Sequence, residues 1–279
     1  MEQLGLAGMP TRLFSCTPSK LASFAECPRR YRMTYVDRPT PPKGAPWAHN
    51  ALGATVHNVL RSWWSLPRQQ RTPEASRRLL NEAWISDGYR DAEQQAAAKQ
   101  IAAGWLESYL ETVDPAAEPF GLERTVAMRT ETLAVSGRID RLDDRDGEPV
   151  VVDYKTGRSA LSEADAAGSQ ALALYALAAA RTLRRPCRRV ELHHLSAGEV
   201  YTHEHTPERL ERHLRRAEQT AADALEAETR FKAGSASADE AFPPAPGSRC
   251  SWCDFRRHCP EGQQAAPPKE PWAALPERR

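Results

Sequence analysis

Long apolar runs are missing from this 279-residue chain. The longest, ALALYALAAA at 171–180, is about half of the roughly 18 residues that cross a bilayer, so no membrane partner is expected. The first residues, MEQLGLAGMPTRLF, lack a basic segment followed by an apolar core. No secretion signal is read there, and a cytoplasmic location is expected. Net charge is scarce, at +1, and argues neither for nor against a polyanionic partner. Lysine is scarce as well: six of the 38 basic residues, the rest being arginine. The arginines cluster in RRYR (29–32), RTLRRPCRR (181–189), RLERHLRR (209–216) and RRH (256–258). Such clusters suit bidentate phosphate contacts or else lie on solvated helix faces beside glutamates. There is no G-x-x-x-x-G-K-[ST] loop, which excludes a nucleotide-driven motor within these residues, and there are no internal repeats.

An apolar content of 41% and a charged content of 27% fit a globular protein with a substantial core. Six cysteines without a secretion signal point to reduced thiols or a metal site rather than a disulfide framework. Cys16 and Cys187 stand alone. Cys250, Cys253 and Cys259 follow each other closely, and Cys27 is their remote fourth.

Residues 1–16 read as a loose start. Thr17 can cap a helix with Pro18 at its first position, Leu21 and Phe24 sharing a face, and Pro28 should interrupt it. A proline-rich connector at 38–47 leads into AHNALGATVHNVLRSWW, and the helical spacing continues to about 115 as a lobe-forming region. From Pro119 the texture changes to three strands, FGLERTVAMRT, ETLAVSGRIDRLDD and EPVVVDYKTG, with DDRDGE (143–148) as the turn between the last two. A helix over 164–183, a strand pair in CRRVELHHL and GEVYTHEH, and a long helix over 207–232 complete a core of about 119–232. The stretch KAGSASADEAFPPAPGS reads as a flexible approach to the cysteines, and 263–279 reads as a tail, leaving 17–262 as one domain.

Side chains of a strand alternate faces, so in VVDYKTG Val151, Asp153 and Lys155 share one face and Val150, Val152 and Tyr154 the other. An acid and a cation thus project together, as a surface ion pair or as a working pair. In the preceding strand Leu133, Val135 and Ile139 form the apolar face, which leaves Ser136, Arg138 and Asp140 opposite and brings Asp140 towards Asp153. Glu123, one strand earlier, can join these acids or pair with Arg138.

The order helix, three strands, helix, strand, with Asp140 followed by VDYK, resembles the PD-(D/E)XK nucleases, and in particular their RecB-type branch. The matching residues are HNVLRSW with His57, GRIDRL with Gly137 and Asp140, VVDYKTG with Asp153 and Lys155, and SQALALYA with Gln170 and Tyr175. The resemblance runs from about residue 17 to 260. It implies an α/β restriction-endonuclease-like core, a mixed central sheet flanked by helices, here with an N-terminal helical elaboration.

The chemistry of those residues agrees with that resemblance. Asp140 and Asp153 offer hard carboxylate oxygens to Mg2+ or Mn2+, the Tyr154 carbonyl lies beside them, and Lys155 can orient water or offset charge on a phosphate. The RecB-type pattern implies His57 as a further metal ligand and Gln170 and Tyr175 as contacts to DNA; Arg138 is a further candidate for DNA binding. The family spaces its Gln and Tyr four apart on one helix face, whereas here they are five apart. Four thiolates from Cys27, Cys250, Cys253 and Cys259 suit zinc by local spacing; the resemblance implies a 4Fe-4S cluster instead.

The function so implied is a metal-dependent deoxyribonuclease, an exonuclease acting on single strands or free ends in repair or recombination, any unwinding coming from a separate helicase. Two alternatives share the motifs. One is a CRISPR-associated adaptation nuclease, which, like the nuclease domain of AddB, has the same cysteine layout; the other is a non-catalytic DNA-binding subunit of a helicase–nuclease assembly.

Overall fold

The computed structural model describes residues 13–275. Its centre is a six-stranded mixed sheet. The strands are β1 (Phe14–Cys16), β2 (Gly121–Arg129), β3 (Leu133–Arg145), β4 (Glu148–Lys155), β5 (Arg189–His194) and β6 (Glu199–Glu204). The path runs β1-β3-β4-β5-β6, with β2 on β3 as well. β1 lies parallel to β3 and β4 parallel to β5, and the remaining pairs are antiparallel. Part of the segment expected to be a loose start is therefore a strand: Phe14 and Cys16 are buried against β3. Residues 1–12 of that expected segment lie outside the described residues.

The helices are α1 (Pro18–Glu26), α2 (Pro28–Tyr31), α3 (Ala48–Trp64), α4 (Ala75–Ala83), α5 (Ala92–Glu111), α6 (Glu163–Gly168), α7 (Gln170–Leu183), α8 (Pro207–Lys232), α9 (Ala238–Ala241) and α10 (Pro260–Ala265). Thr17 caps α1, its side chain accepting from Lys20 N, and the chain breaks at Cys27 before Pro28, as the sequence predicts. The helices sort into two layers by the alternation of β4. Val151 joins α1, α7 and α8 in one core, whereas Val150, Val152 and Tyr154 face α3, α4 and α5 in the other. The region expected as a helical lobe is thus the layer that covers one face of the sheet. No helix of the described residues is long and apolar enough to cross a membrane.

Three local expectations change. The turn between β3 and β4 is shorter than DDRDGE: both strands extend to leave only Asp146 and Gly147, at φ +53° and +87°. Two successive positive φ values suit the right-handed twist of a tight hairpin, and an Asp-Gly pair supplies them at low cost. The helix read over 164–183 is two, because Ser169 is extended and caps α7, accepting from Leu172 N. The approach to the cysteines holds α9, closed by a reciprocal Ser237–Glu240 capping box, with Phe242 fully buried behind it. The expected tail also folds back. Ala48 N donates to Pro271 O at 3.0 Å, and Leu275, 4% exposed, enters the α3 core.

Candidate functional site

The site forms where β3 and β4 part. Their last paired residues are Arg141 and Val152, so Asp140 and Asp153 occupy the next register positions, just beyond the ladder. Past the end of the β3 ladder, though still paired with β5, Tyr154 donates its N–H to Asp140 Oδ2 at 2.9 Å. On the other edge of β3 the register sets Leu122 opposite Arg141 and Arg124 opposite Ile139, which puts Glu123 across from Asp140. Glu123 has a φ of +47°, a left-handed conformation uncommon for a residue with a side chain.

The third contributor is α3. His57 Nδ1 is 3.2 Å from Asp140 Oδ1, and its Nε2 is 3.1 Å from the Tyr154 carbonyl. His57, Glu123 and Asp140 each bring a donor atom to within 4.8 Å of the others. Asp153 stands beside them: its Oδ2 is buried and, apart from the Lys155 ammonium 2.6 Å away, accepts no hydrogen bond. The shared face of Asp153 and Lys155 read from the alternation is therefore an ion pair at the end of β4. A hard cation wants several oxygens with or without an imidazole, and this donor set meets that requirement.

Burial and charge shape the protonation states. Burial, reinforced by Asp140, raises the Asp153 carboxyl above its ordinary range, and Lys155 opposes the rise. For His57 burial works to lower the pKa, but its hydrogen bond to Asp140 and the charges of Asp140, Asp153 and Glu123 win, so it lies above the ordinary value. The Tyr175 hydroxyl is raised by burial and by Asp153 and Asp140, which keeps it neutral beside the acids. Burial leads the shifts of Asp153 and Tyr175, and the neighbouring acids add to both and set the direction for His57.

Tyr175, Arg138 and Gly137 line the same cavity as His57, Glu123 and Asp140, a cleft of about 420 Å³. Arg138 pairs with Glu123 at 2.6 Å, so Glu123 both joins the acids and holds the arginine. Gly137 is required by a close approach: a Cβ there would lie 2.4 Å from Tyr175 Cε1. Gln170 goes elsewhere. It heads α7, donates to the His213 carbonyl at 3.2 Å and lines a different cavity, a consequence of the helix break at Ser169.

Behind the site, a buried network that sequence reasoning missed grips Tyr154. Its hydroxyl accepts from Trp64 Nε1 at 3.2 Å and from Arg141 Nη1 at 3.1 Å. Arg141, 4% exposed, also donates to the Tyr109 hydroxyl and pairs with Asp143 at 2.9 Å. Two signals in the sequence could have found it. Trp64 sits seven residues after His57, hence on the same helix face, and Arg141 faces opposite to Asp140 in a strand with apolar neighbours.

Cys27, Cys250, Cys253 and Cys259 line one cavity, although Cys27 is more than two hundred residues from the rest. Arg29 Nη1 and Gly262 N point at Cys259 Sγ, at 3.5 and 3.4 Å. Arg29 is buried and is held in turn by Glu261 and Asp239. Burial pushes the Cys253 thiol up, so as a thiolate it needs a positive centre beside it. Among the described residues no three cysteine sulfurs lie within 4.8 Å of one another. Cys16 and Cys187 are buried elsewhere, and burial raises the Cys16 thiol to about 11 and the Cys187 thiol to about 12.

No curated protein matches the chain. Among solved structures it is similar to a candidate exonuclease from Eubacterium rectale, with 14% identity, a TM-score of 0.46, and coverage of 92% of this chain and 94% of that one. It is also similar to SSO0001, with 14% identity, a TM-score of 0.40, and coverage of 91% and 89%. The model of the PD-(D/E)XK nuclease superfamily matches residues 15–260. That span holds β2 to β6, all of β1 but Phe14, and both clusters just described, and the chain belongs to the PD-(D/E)XK nuclease superfamily.

Proposed function

We propose that the chain is a metal-dependent deoxyribonuclease of the RecB type, an exonuclease that takes single strands or free DNA ends. The observation that carries the reading is the convergence of His57, Glu123 and Asp140, with Asp153 at the register position opposite Asp140 just beyond the β3–β4 ladder and Lys155 beside Asp153. Nuclease superfamily membership supports DNA as the substrate class.

Asp140, Asp153, Glu123 and His57, together with the Tyr154 carbonyl, would hold Mg2+ or Mn2+. When bound, the cation supplies Lewis acidity towards the phosphate and a water of lowered pKa. Lys155 offsets negative charge developing on the phosphate, a role for a cation placed in advance. Tyr175 and Arg138 border the cleft and would position the strand.

The four cysteines would hold a 4Fe-4S cluster. The layout of one remote N-terminal cysteine and three clustered C-terminal ones, all four lining one cavity, supports a cluster in which each thiolate takes its own iron. Donors aimed at Cys259 Sγ suit a charged sulfur.

The test uses protein purified without oxygen and end-labelled single- and double-stranded DNA, with Mn2+, Mg2+ or EDTA. Shortening of the single strand only with metal, by protein carrying iron and sulfide, is the expected result. Zinc in place of iron overturns the cluster assignment, and internal cuts without shortening from an end overturn the exonuclease assignment.

A further inference from the structure

The cavity of the acids is not the largest opening near it. A cavity of about 610 Å³ lies between α1, α7, α8 and the segment that leads to Cys250. Arg30, Arg216 and Arg249 line it, with Gln170 at its side. Glu26, also in its lining, pairs with Arg30 and with Arg249, the latter at 3.5 Å. Arg216 is exposed and, among the described residues, has no carboxylate partner. Three arginines against one glutamate leave a net positive cleft.

Its relation to the acids gives this charge a direction. Both cavities open on the same two helices. From α1 and its cap, Thr17 and Ser19 line the acidic pocket, while Ala22 and Glu26 line the basic one. From α7, Tyr175 lines the first and Gln170 the second. Ser19 to Glu26 is seven residues of helix, about 10 Å. Ala22, Ala25 and Gly168, all short, keep the cleft low between its arginines. The cavity shares Cys27, Cys250 and Cys253 with the cysteine cavity, and its volume, within the small-ligand range of about 300–1,000 Å³, suits a strand a few nucleotides long.

We infer that this cleft is a binding subsite for the single-stranded DNA that continues beyond the scissile phosphate, with Arg216 and Arg249 contacting its phosphates and Gln170 beside it. The inference rests on the nuclease reading and adds where the rest of the substrate lies. It also gives Gln170 a place: away from the acids, along the strand.

The test separates binding of a long strand from chemistry at the acids. Affinity for a fluorescent 20-mer of deoxythymidylate is measured in EDTA over a range of salt, for the full chain and for an Arg216→Ala/Arg249→Ala variant. Hydrolysis of bis(4-nitrophenyl) phosphate, which is too short to reach the cleft, is measured in Mn2+ with the same proteins. Loss of two phosphate contacts should weaken 20-mer binding roughly tenfold and reduce the slope of log affinity against log salt by about 1.4. Hydrolysis of the small ester should stay at the wild-type rate. If the variant binds the 20-mer with wild-type affinity and slope while the ester is still hydrolysed, the cleft is not the subsite and the nuclease reading stands. Wild-type protein inert towards both the ester and the 20-mer in Mn2+ overturns the nuclease reading, and the subsite with it.

Discussion

His57 and Tyr154 meet at 3.1 Å, imidazole Nε2 to main-chain carbonyl, and the same helix reaches the other end of that tyrosine through Trp64. α3 therefore holds β4 at two points, one in the acidic site and one in the core. The arrangement makes the Tyr154 side chain a brace for the position of His57 relative to Asp140.

Removing the brace should loosen the site without changing its donors. Tyr154→Phe deletes one hydroxyl and leaves the Trp64 and Arg141 donors unpaired, at a cost of about 1–3 kcal/mol in urea unfolding. Arg141→Met takes one partner each from Asp143, which keeps Arg145, and from the Tyr154 and Tyr109 hydroxyls, which keep Trp64 and His193, and should cost about 1–3 kcal/mol. In Tyr154→Phe the Mn2+ concentration for half-maximal cleavage should rise several-fold, with the rate at saturating Mn2+ nearly kept. An unchanged Mn2+ requirement would reduce the network to a purely structural one.

Gly137→Ala should push the Tyr175 ring out of the cleft, because the new methyl would sit 2.4 Å from Cε1. The expected cost is about 1–3 kcal/mol of stability. Combining it with Tyr175→Leu should recover part of that loss, and a double-mutant cycle measures the recovery. Strict additivity would show that the ring does not rest on Gly137.

The readable part of this site was the part governed by alternation. Asp140, Asp153 and Lys155 follow from two strand patterns, and the strands are where those patterns put them. Glu123 was readable only as a choice between two roles, because one carboxylate can serve both, and here it does. What alternation could not reveal is contact across layers. Arg141 and Tyr154 sit in the same motifs as the acids but face the opposite core, so a reading directed at metal chemistry passed over them. The break at Ser169 was hidden because Gln170 onwards keeps a helical pattern, and only the five-residue spacing of Gln170 and Tyr175 hinted at it. β1 was hidden for another reason. Three residues carry too little periodicity, and only pairing with β3 makes Phe14–Cys16 a strand.

Acid should weaken the fold through His205. This imidazole is 1% exposed, neither nitrogen has a partner, and His203, His213 and Arg209 surround it. Burial first, then those neighbours, lower its pKa to about 4. The unfolded chain takes up a proton near pH 6.5 that the folded chain refuses until about pH 4. Stability is full above pH 6.5 and falls as the pH drops towards 4, by up to about 3 kcal/mol. In His205→Phe the decline between those values should flatten; an unchanged slope would place its origin elsewhere.

The cysteine cavity closes a loop from Cys27 to Cys250. Chain-entropy scaling puts the stabilisation from linking residues so distant at roughly 5 kcal/mol, provided that a metal group joins them. Cys27→Ser should therefore lose bound iron and lower the melting temperature by several degrees or more. A Cys16→Ser control should keep its iron, since Cys16 lies in the sheet core away from the other four. Full iron content in Cys27→Ser would remove Cys27 from the ligand set.

Single-turnover cleavage of a 5′-labelled single-stranded oligonucleotide in Mn2+, comparing wild type with Asp153→Asn and Lys155→Ala, tests the central claim most directly. The account predicts cleavage by wild type, none in EDTA, and a loss of about a thousandfold or more in each variant while both still bind the strand. Cleavage by Asp153→Asn at the wild-type rate, or cleavage that EDTA leaves untouched, would contradict it.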